Sequence, residues 1–162
     1  MGNEFGHPEW IDFPREGNGW SFKYARRQWS LEDNPDLRYG QLRNFDEAMV
    51  HLIRKENILQ ERPEILVADE EKKILIFKRK NCIFALNFSP AGSYADYGFS
   101  APAGEFENVL DSDQPQFNGF GRLKQGERHI AVAERCPNGN QAYAYTLKVY
   151  LPARCAMVLK QV

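Results

Sequence analysis

The stretch that decides the fold is Ala142–Leu151, AYAYTLKVYL, near the end of this 162-residue chain. Large side chains occupy every second position: Tyr143, Tyr145, Leu147, Val149 and Leu151. Because successive side chains of a strand point to opposite faces, this pattern predicts a β-strand with one face in a core. Asn138-Gly139 precedes it and suits the positive φ angles of a type I′ turn, so a hairpin with the preceding strand is expected.

The same two-residue period recurs upstream and downstream of that strand. Turn-forming residues separate runs that we predict as strands: Ile65–Asp69, Lys73–Arg79, Ile83–Ser89, Tyr94–Ser100, Phe106–Asp111, Arg128–Glu134, Ala142–Leu151 and Cys155–Lys160. About eight short strands with no helix between them predict a mainly β fold, an antiparallel β-sandwich.

A helix is predicted before the strands, at about residues 36–57. Apolar side chains recur at helical spacing: Leu37, Leu42, Phe45, Met49, Leu52 and Ile53. Asn34-Pro35 suits the N-cap and first helical position, and Asn44 offers a second cap, which leaves open a helix in two segments. Glu61-Arg62-Pro63 is expected to end it, since the residue before a proline avoids the α region.

The first 30 residues follow no regular period. They contain all three tryptophans of the chain, Trp10, Trp20 and Trp29, among scattered glycines and prolines. Long irregular segments inside compact domains are usually functional. Covering the apolar stripe of the helix is worth on the order of 10 kcal/mol, and the Trp-rich segment has no evident scaffold in the chain. These features predict the tail of one domain followed by a complete β domain.

Composition excludes several classes of protein. Lys+Arg total 21 and Asp+Glu total 22, and this balance argues against nucleic acid or an anionic membrane as the main partner. No apolar run approaches a membrane span, and Met1-Gly2-Asn3-Glu4-Phe5 does not resemble a signal peptide. Three widely spaced cysteines, Cys82, Cys136 and Cys155, fit reduced buried thiols in a cytoplasmic protein.

Several motifs carry a family resemblance. In the first third they are MGNEFGHPEWIDFPR at 1–15, GNGWS at 17–21, YARRQW at 24–29, NPDLRY at 34–39 and NFD at 44–46. In the β half they are NFSP at 87–90, SYADY at 93–97, VLDSD at 109–113, FGR at 120–122 and LKVYLP at 147–152. With these motifs the chain resembles the 1,4-α-glucan (glycogen or starch) branching enzymes of glycoside hydrolase family 13, in their eukaryotic-type subgroup.

The resemblance implies a domain organisation and a reaction. Residues 1–60 would be the end of a truncated (β/α)8 barrel, with its last loop and helix, and residues 61–162 the C-terminal all-β domain of the α-amylase superfamily. Met1 would be an internal residue of a longer enzyme. The reaction would cut an α-1,4 bond through a covalent Asp intermediate, with a Glu as acid and base, and transfer the glucan to a 6-hydroxyl. No cofactor or metal is implied.

None of the catalytic motifs of the family lies in this chain, so the resemblance implies no catalytic residue here and no activity for the chain alone. It places the loop after the last barrel strand beside the α-glucan. The residues that would form this wall of the active site are Glu4, His7, Glu9, Trp10, Asp12 and Arg15. Trp10 would stack on a pyranose ring. In the alternative interpretation these residues brace the loop, with Arg15 paired to Glu9 or Asp12.

Other motifs have simpler interpretations. Of Arg26-Arg27, one arginine is expected in a buried ion pair and the other in solvent. Phe13, Trp20, Phe22 and Trp29 are expected to pack rather than bind sugar. Asp111-Ser112-Asp113 is expected to satisfy backbone N–H groups at a turn, not to bind calcium. His7, His51 and His129 lack metal-ligand spacing.

The strand tyrosines are typical of cross-strand core pairs, and a surface glucan platform stays an alternative: Tyr94, Tyr97, Tyr143, Tyr145 and Tyr150. At the level of function, two alternatives also stay open. One is a stand-alone carbohydrate-binding β-sandwich, and the other is a purely structural module.

Overall fold

A computed structural model describes residues 2–135 and 143–162. The chain divides into two compact units, residues 1–52 with 116–118, and residues 53–115 with 119–162. None of the described helices is long and apolar enough to cross a membrane. The hairpin turn predicted at Asn138-Gly139 lies outside the described residues, as does Cys136.

The first unit contains a long irregular segment and the helices. A 3-10 turn spans Glu16–Asn18, a short helix α1 spans Trp29–Asp33, and helix α2 spans Tyr39–Glu56. Helix α2 is continuous and confirms the predicted helix, so the second cap at Asn44 is not used. None of its residues is fully buried.

Both predicted ends of the long helix need correction. The side chain of Asn34 accepts a hydrogen bond from the Asp36 N–H at 2.9 Å, which makes a turn between α1 and α2 rather than an N-cap. The helix ends at Glu56 because Asn57 adopts the left-handed conformation, with φ of 52°. The Glu61-Arg62-Pro63 segment lies beyond this end, so the proline does not end the helix.

The second unit contains two antiparallel sheets. Its strands are β1 (Glu64–Asp69), β2 (Ile74–Arg79), β3 (Cys82–Asn87), β4 (Tyr94–Ser100), β5 (Glu105–Asp111), β6 (Arg128–Ile130), β7 (Val132–Arg135), β8 (Tyr143–Leu151) and β9 (Cys155–Gln161). One sheet has the order β1-β2-β3-β9-β5-β6 and the other the order β4-β8-β7. This arrangement confirms the predicted mainly β, antiparallel fold.

The predicted strand Arg128–Glu134 is in fact two strands. The chain leaves the larger sheet after Ile130 and enters the smaller sheet at Val132. At the crossing, the Ala131 N–H donates to the Gly104 carbonyl at 2.9 Å. The two-residue period continues through this change of sheet, so the sequence predicts one strand where the structure has two. The described residues therefore contain nine strands where about eight were predicted.

The core of this unit lies between the inward faces of the two sheets. Leu147, Val149 and Leu151 of β8 are buried, as their alternation predicts, while Lys148 is exposed. The larger sheet contributes buried side chains from β2, β3 and β9: Ile74, Ile76, Ile83, Ala85, Met157 and Leu159. Cys82 and Cys155 are buried free thiols, and burial raises the pKa of each to about 11. Both therefore stay protonated at neutral pH.

The Asp111-Ser112-Asp113 motif forms a turn, as predicted. Asp111 Oδ1 accepts from the Asp113 N–H at 3.0 Å, and Asp113 Oδ2 accepts from the Arg122 N–H at 2.6 Å. The Ser112 hydroxyl accepts from the Ala156 N–H at 2.9 Å. These side chains thus satisfy buried backbone donors where β5 ends.

Limited proteolysis is expected to leave a resistant fragment that begins near residue 60. The strands beyond this point pair their backbone groups in ladders, whereas residues 2–28 have few backbone hydrogen bonds. Because a protease cleaves a segment only when it opens locally, residues 2–28 should be cut first. The measurement is the mass of the surviving fragment over time. If residues 1–30 are instead the most protected part of the chain, the β domain is not the stable unit and the prediction is wrong.

Candidate functional site

The base of the irregular loop at residues 2–28 is held by a small polar cluster. Arg15 Nε donates to Asp12 Oδ1 at 3.0 Å, and Asn18 Nδ2 donates to Asp12 Oδ2 at 3.0 Å. The Asp12 N–H donates to the Tyr24 carbonyl at 3.0 Å. Hydrogen bonds from Arg15 and then from Asn18 hold the pKa of the Asp12 carboxyl below its usual value. Asp12 and Arg15 are therefore engaged with each other, one of the two pairings that the bracing interpretation allowed.

His7 links the two ends of the loop. Its Nε2 accepts from the Gln28 N–H at 3.2 Å, and its Nδ1 lies 3.1 Å from the Glu9 carbonyl oxygen. Accepting at Nε2 requires the neutral tautomer with the proton on Nδ1, which then donates to the carbonyl. His7 thus fixes the backbone just before Trp10.

Glu4 is also engaged inside the loop. Arg27 Nη1 donates to Glu4 Oε1, and both side chains are partly buried, whereas Arg26 is exposed. This confirms the expectation of one paired and one solvated arginine. The pKa of Glu4 is lowered, first by a hydrogen bond from its own backbone N–H and next, against the effect of burial, by the charge of Arg27.

Three of the predicted wall residues are exposed. Arg15 is exposed but paired with Asp12, whereas Glu9 and Trp10 project into solvent, and the Trp10 side chain is 80% exposed. The four besides Glu9 and Trp10, namely Glu4, His7, Asp12 and Arg15, make the contacts described above. The six residues thus separate into an anchored frame and an exposed tip, Pro8-Glu9-Trp10, whose side chains are available to a ligand.

The aromatic residues that were expected to pack are largely exposed in this chain: Phe13, Trp20, Phe22 and Trp29. Trp20 is 67% exposed and Phe22 is 75% exposed, and Phe13 is exposed as well. Trp29 lies against buried Phe5, with ring centroids 5.4 Å apart, yet half of its surface stays open.

The β-sandwich has a counterpart among known families. The family model described as the alpha amylase, C-terminal all-beta domain, matches residues 65–162. This chain belongs to that family. The matched region begins within β1 and ends at the last residue, so it covers both sheets of the second unit.

Relatives extend the likeness beyond the C-terminal all-β domain. The chain is 45% identical over 164 aligned residues to the 1,4-alpha-glucan-branching enzyme of Dictyostelium discoideum, covering 100% of the chain and 24% of the relative. It is 42% identical to the same enzyme of Yarrowia lipolytica, covering 97% of the chain and 23% of the relative. The chain therefore spans about a quarter of the length of these relatives.

A solved structure of a three-domain cyclomaltodextrin glucanotransferase aligns with a TM-score of 0.47 and 14% identity. The alignment covers 93% of this chain and 27% of the glucanotransferase chain.

The candidate wall residues lie upstream of the C-terminal all-β domain. All six fall between residues 4 and 15, whereas the family match begins at residue 65. The alignments with the branching enzymes do include this segment. Sugar contact by the loop stays a prediction, with the exposed tip as its structural basis.

Proposed function

We propose that this chain is the C-terminal portion of a 1,4-α-glucan branching enzyme that acts in the cytoplasm. Residues 1–60 would complete the catalytic barrel, and residues 61–162 would form the all-β domain that follows it. One observation carries the proposal. The 45% identity to a branching enzyme extends over the whole chain and not only over the all-β domain. The substrate would be an α-glucan of the glycogen or starch type.

The reaction proposed for the whole enzyme is retaining transglycosylation. Such chemistry needs two carboxyl groups about 5–5.5 Å apart across the scissile bond, and these would lie in the rest of the barrel. The role of this chain would be to bind and orient the glucan. Trp10 would stack on a sugar ring, and Glu9 would accept hydrogen bonds from its hydroxyls. His7 and the Asp12–Arg15 pair would hold that tip in place.

The remainder of the barrel is the proposed protein partner. No residue of α2 is fully buried: Leu42 of its apolar stripe is 44% exposed, and Phe45 is only half-buried against Phe117. Apolar side chains left open in this way are stabilised when another surface covers them. A barrel completed by the missing part of the enzyme would supply that surface.

The isolated 162-residue chain is expected to form no α-1,6 linkages, because the proposed catalytic carboxylates lie outside it. The test incubates the chain, and separately the full-length protein that contains it, with amylose. Enzymatic debranching and chain-length analysis then detect new branches. Branching by the full-length protein supports the proposal. Branches made by the isolated chain, or none made by the full-length protein, would contradict it.

A further inference from the structure

His7 closes the base of the irregular loop through two hydrogen bonds that place opposite demands on its ring nitrogens. Its Nε2 accepts from the Gln28 N–H at 3.2 Å, and its Nδ1 lies 3.1 Å from the Glu9 carbonyl oxygen. A backbone N–H can only donate and a carbonyl can only accept, so both bonds form only while the imidazole is neutral with its proton on Nδ1. The closed loop therefore depends on the protonation state of one side chain.

The imidazole ring is held in a single orientation. It packs edge-to-face on the buried ring of Phe5, with centroids 5.7 Å apart and an interplanar angle of 86°. The His7 N–H donates to the Gly2 carbonyl at 2.9 Å, and a Cβ added at Gly2 would lie 2.6 Å from the His7 Cβ. Turning the ring over would place carbon atoms where the two nitrogens now bond. The ring thus has no second position that joins residues 7 and 28.

The charged groups around His7 do not replace the bond to Gln28. Four charged residues lie on the segments that pack against the ring: Glu4, Glu9, Arg26 and Arg27. Glu4 and Arg27 pair with each other, and the side chains of Glu9 and Arg26 are exposed. In the part of the chain that the structure describes, no carboxylate bonds to either ring nitrogen. A charged imidazole would therefore gain no new partner here for the one that it loses.

A second proton on the ring breaks the link between the two ends of the loop. An imidazolium has an N–H at both nitrogens, so Nε2 no longer accepts and instead directs its N–H at the Gln28 N–H. The bond from Nδ1 to the Glu9 carbonyl stays. Because the closed arrangement excludes this proton and an open one admits it, acid shifts the population toward the open one. Histidine is the side chain whose charge ordinarily changes between about pH 5 and 8.

We propose that His7 is an acid-sensitive latch, whose protonation at Nε2 releases Gln28 and opens the base of the loop. The tip Pro8-Glu9-Trp10 then loses its fixed link to residue 28, while the Asp12–Arg15 pair still holds its other side. The opening is local, since the Glu4–Arg27 ion pair also remains.

The consequence for the glucan rests on the proposed function, whereas the opening itself does not. A Trp10 ring on a looser tip loses more conformational entropy when it stacks on a sugar. Acidification would therefore weaken the grip of the loop on substrate before it affects the fold of the β domain.

The experiment follows amide hydrogen exchange by mass spectrometry in the full-length protein that contains this chain, from roughly pH 8 to pH 5. The Gln28 amide is read from overlapping peptides and corrected for the intrinsic pH dependence of exchange. It is expected to exchange about tenfold faster at the acid end, the effect of losing one hydrogen bond. Peptides from β8 are the internal reference and should stay protected throughout.

His7→Gln is the decisive variant, because glutamine has a donor and an acceptor but does not titrate. Its corrected exchange at Gln28 should not change with pH, whatever its level. His51→Gln, at an exposed histidine of α2, is the matched control and should behave like the wild type.

Four outcomes would overturn the latch. They are no acid-induced rise in the wild type, a rise that persists in His7→Gln, a rise that disappears in His51→Gln, and a parallel rise in the β8 peptides. Hydrogen exchange requires no branching activity, so this test and the test of the proposed function can fail independently.

Discussion

In the full-length branching enzyme proposed for this chain, Trp10→Ala is expected to lower kcat/KM for amylose by about 5- to 150-fold. This range corresponds to loss of about 1–3 kcal/mol from one aromatic contact. The indole is 80% exposed in the chain, and no ring or polar contact of Trp10 is found among the described residues. Its removal should therefore cost little folding stability within the chain and act mainly on the bound glucan.

The frame around Trp10 explains why the effect should be large for an exposed residue. His7 holds the Glu9 carbonyl on one side, and the Asp12–Arg15 pair holds the chain on the other. A side chain on a braced tip loses less conformational entropy on binding than one on a free loop. If the ring stacks mainly in the transition state, kcat and kcat/KM fall together, whereas a rise in KM alone indicates that it only grips substrate.

Trp20→Ala is the matched control, since Trp20 is 67% exposed on the same loop and is not among the predicted wall residues. Both variants are measured for steady-state kinetics and for melting temperature. A Trp10→Ala enzyme with normal kcat/KM rules out the sugar-contact role. A large fall in melting temperature with near-normal kinetics instead identifies Trp10 as a packing residue of the complete enzyme.

Most of the fold can be predicted from the sequence because strand periodicity is a local signal. Leu147 and Val149 are buried where the alternation places them, and β4 has the predicted limits of Tyr94 and Ser100. The errors occur where a long-range hydrogen bond or a left-handed backbone conformation decides where an element begins or ends. Ala131 changes sheet through a bond to Gly104, and Asn57 ends α2 by adopting a positive φ that the sequence only permits.

The sequence predicts which residues belong to the candidate site, but it does not predict most of the hydrogen bonds between them. The pair Asp12–Arg15 is close in sequence and was among the expected pairings. The bond from Gln28 to His7 spans 21 residues and leaves no periodic signal. The edge-to-face pair of Tyr94 and Tyr97 depends on a β-bulge in β4, which shifts the register without changing residue types.

The second large effect is expected at Asp113, whose carboxylate is 3% exposed. Arg122 Nη2 donates to Asp113 Oδ1 at 2.7 Å, and the N–H groups of Phe120 and Arg122 donate to the same carboxylate. Arg122 Nη2 also reaches the Ala153 carbonyl at 3.0 Å. The neighbouring Gly119 has no room for a side chain, because an added Cβ would lie 2.1 Å from the Asp113 backbone.

Asp113→Ala is expected to lower the free energy of unfolding by about 3–5 kcal/mol, the usual cost of breaking a buried ion pair by removing one partner. Two backbone N–H groups and the guanidinium lose their acceptor at once. Chemical denaturation with two spectroscopic probes measures the change. Asp96→Ala, at an exposed carboxylate of the same unit, is the control and is expected to change stability by less than about 0.5 kcal/mol.

The pH dependence separates the charge of Asp113 from its packing. Burial raises the pKa of this carboxyl, but the hydrogen bonds from the Arg122 side chain and from the two backbone N–H groups, with the guanidinium charge, outweigh burial. The pKa therefore lies below the ordinary value of 3.8. A carboxyl whose folded pKa is depressed stabilises the fold above its unfolded pKa, and that contribution is lost as pH falls through the folded pKa.

Arg122→Ala is expected to raise the folded pKa of Asp113. Burial of the carboxylate is then opposed only by the two backbone N–H groups, so its charge stabilises the fold less at neutral pH than in the wild type. The stability difference between wild type and Arg122→Ala should therefore be largest at pH 7 and shrink toward pH 3.5. If the two unfolding curves stay separated by the same free energy over that range, the pair contributes through packing and hydrogen-bond geometry alone, and its charge has no role in holding the turn after β5.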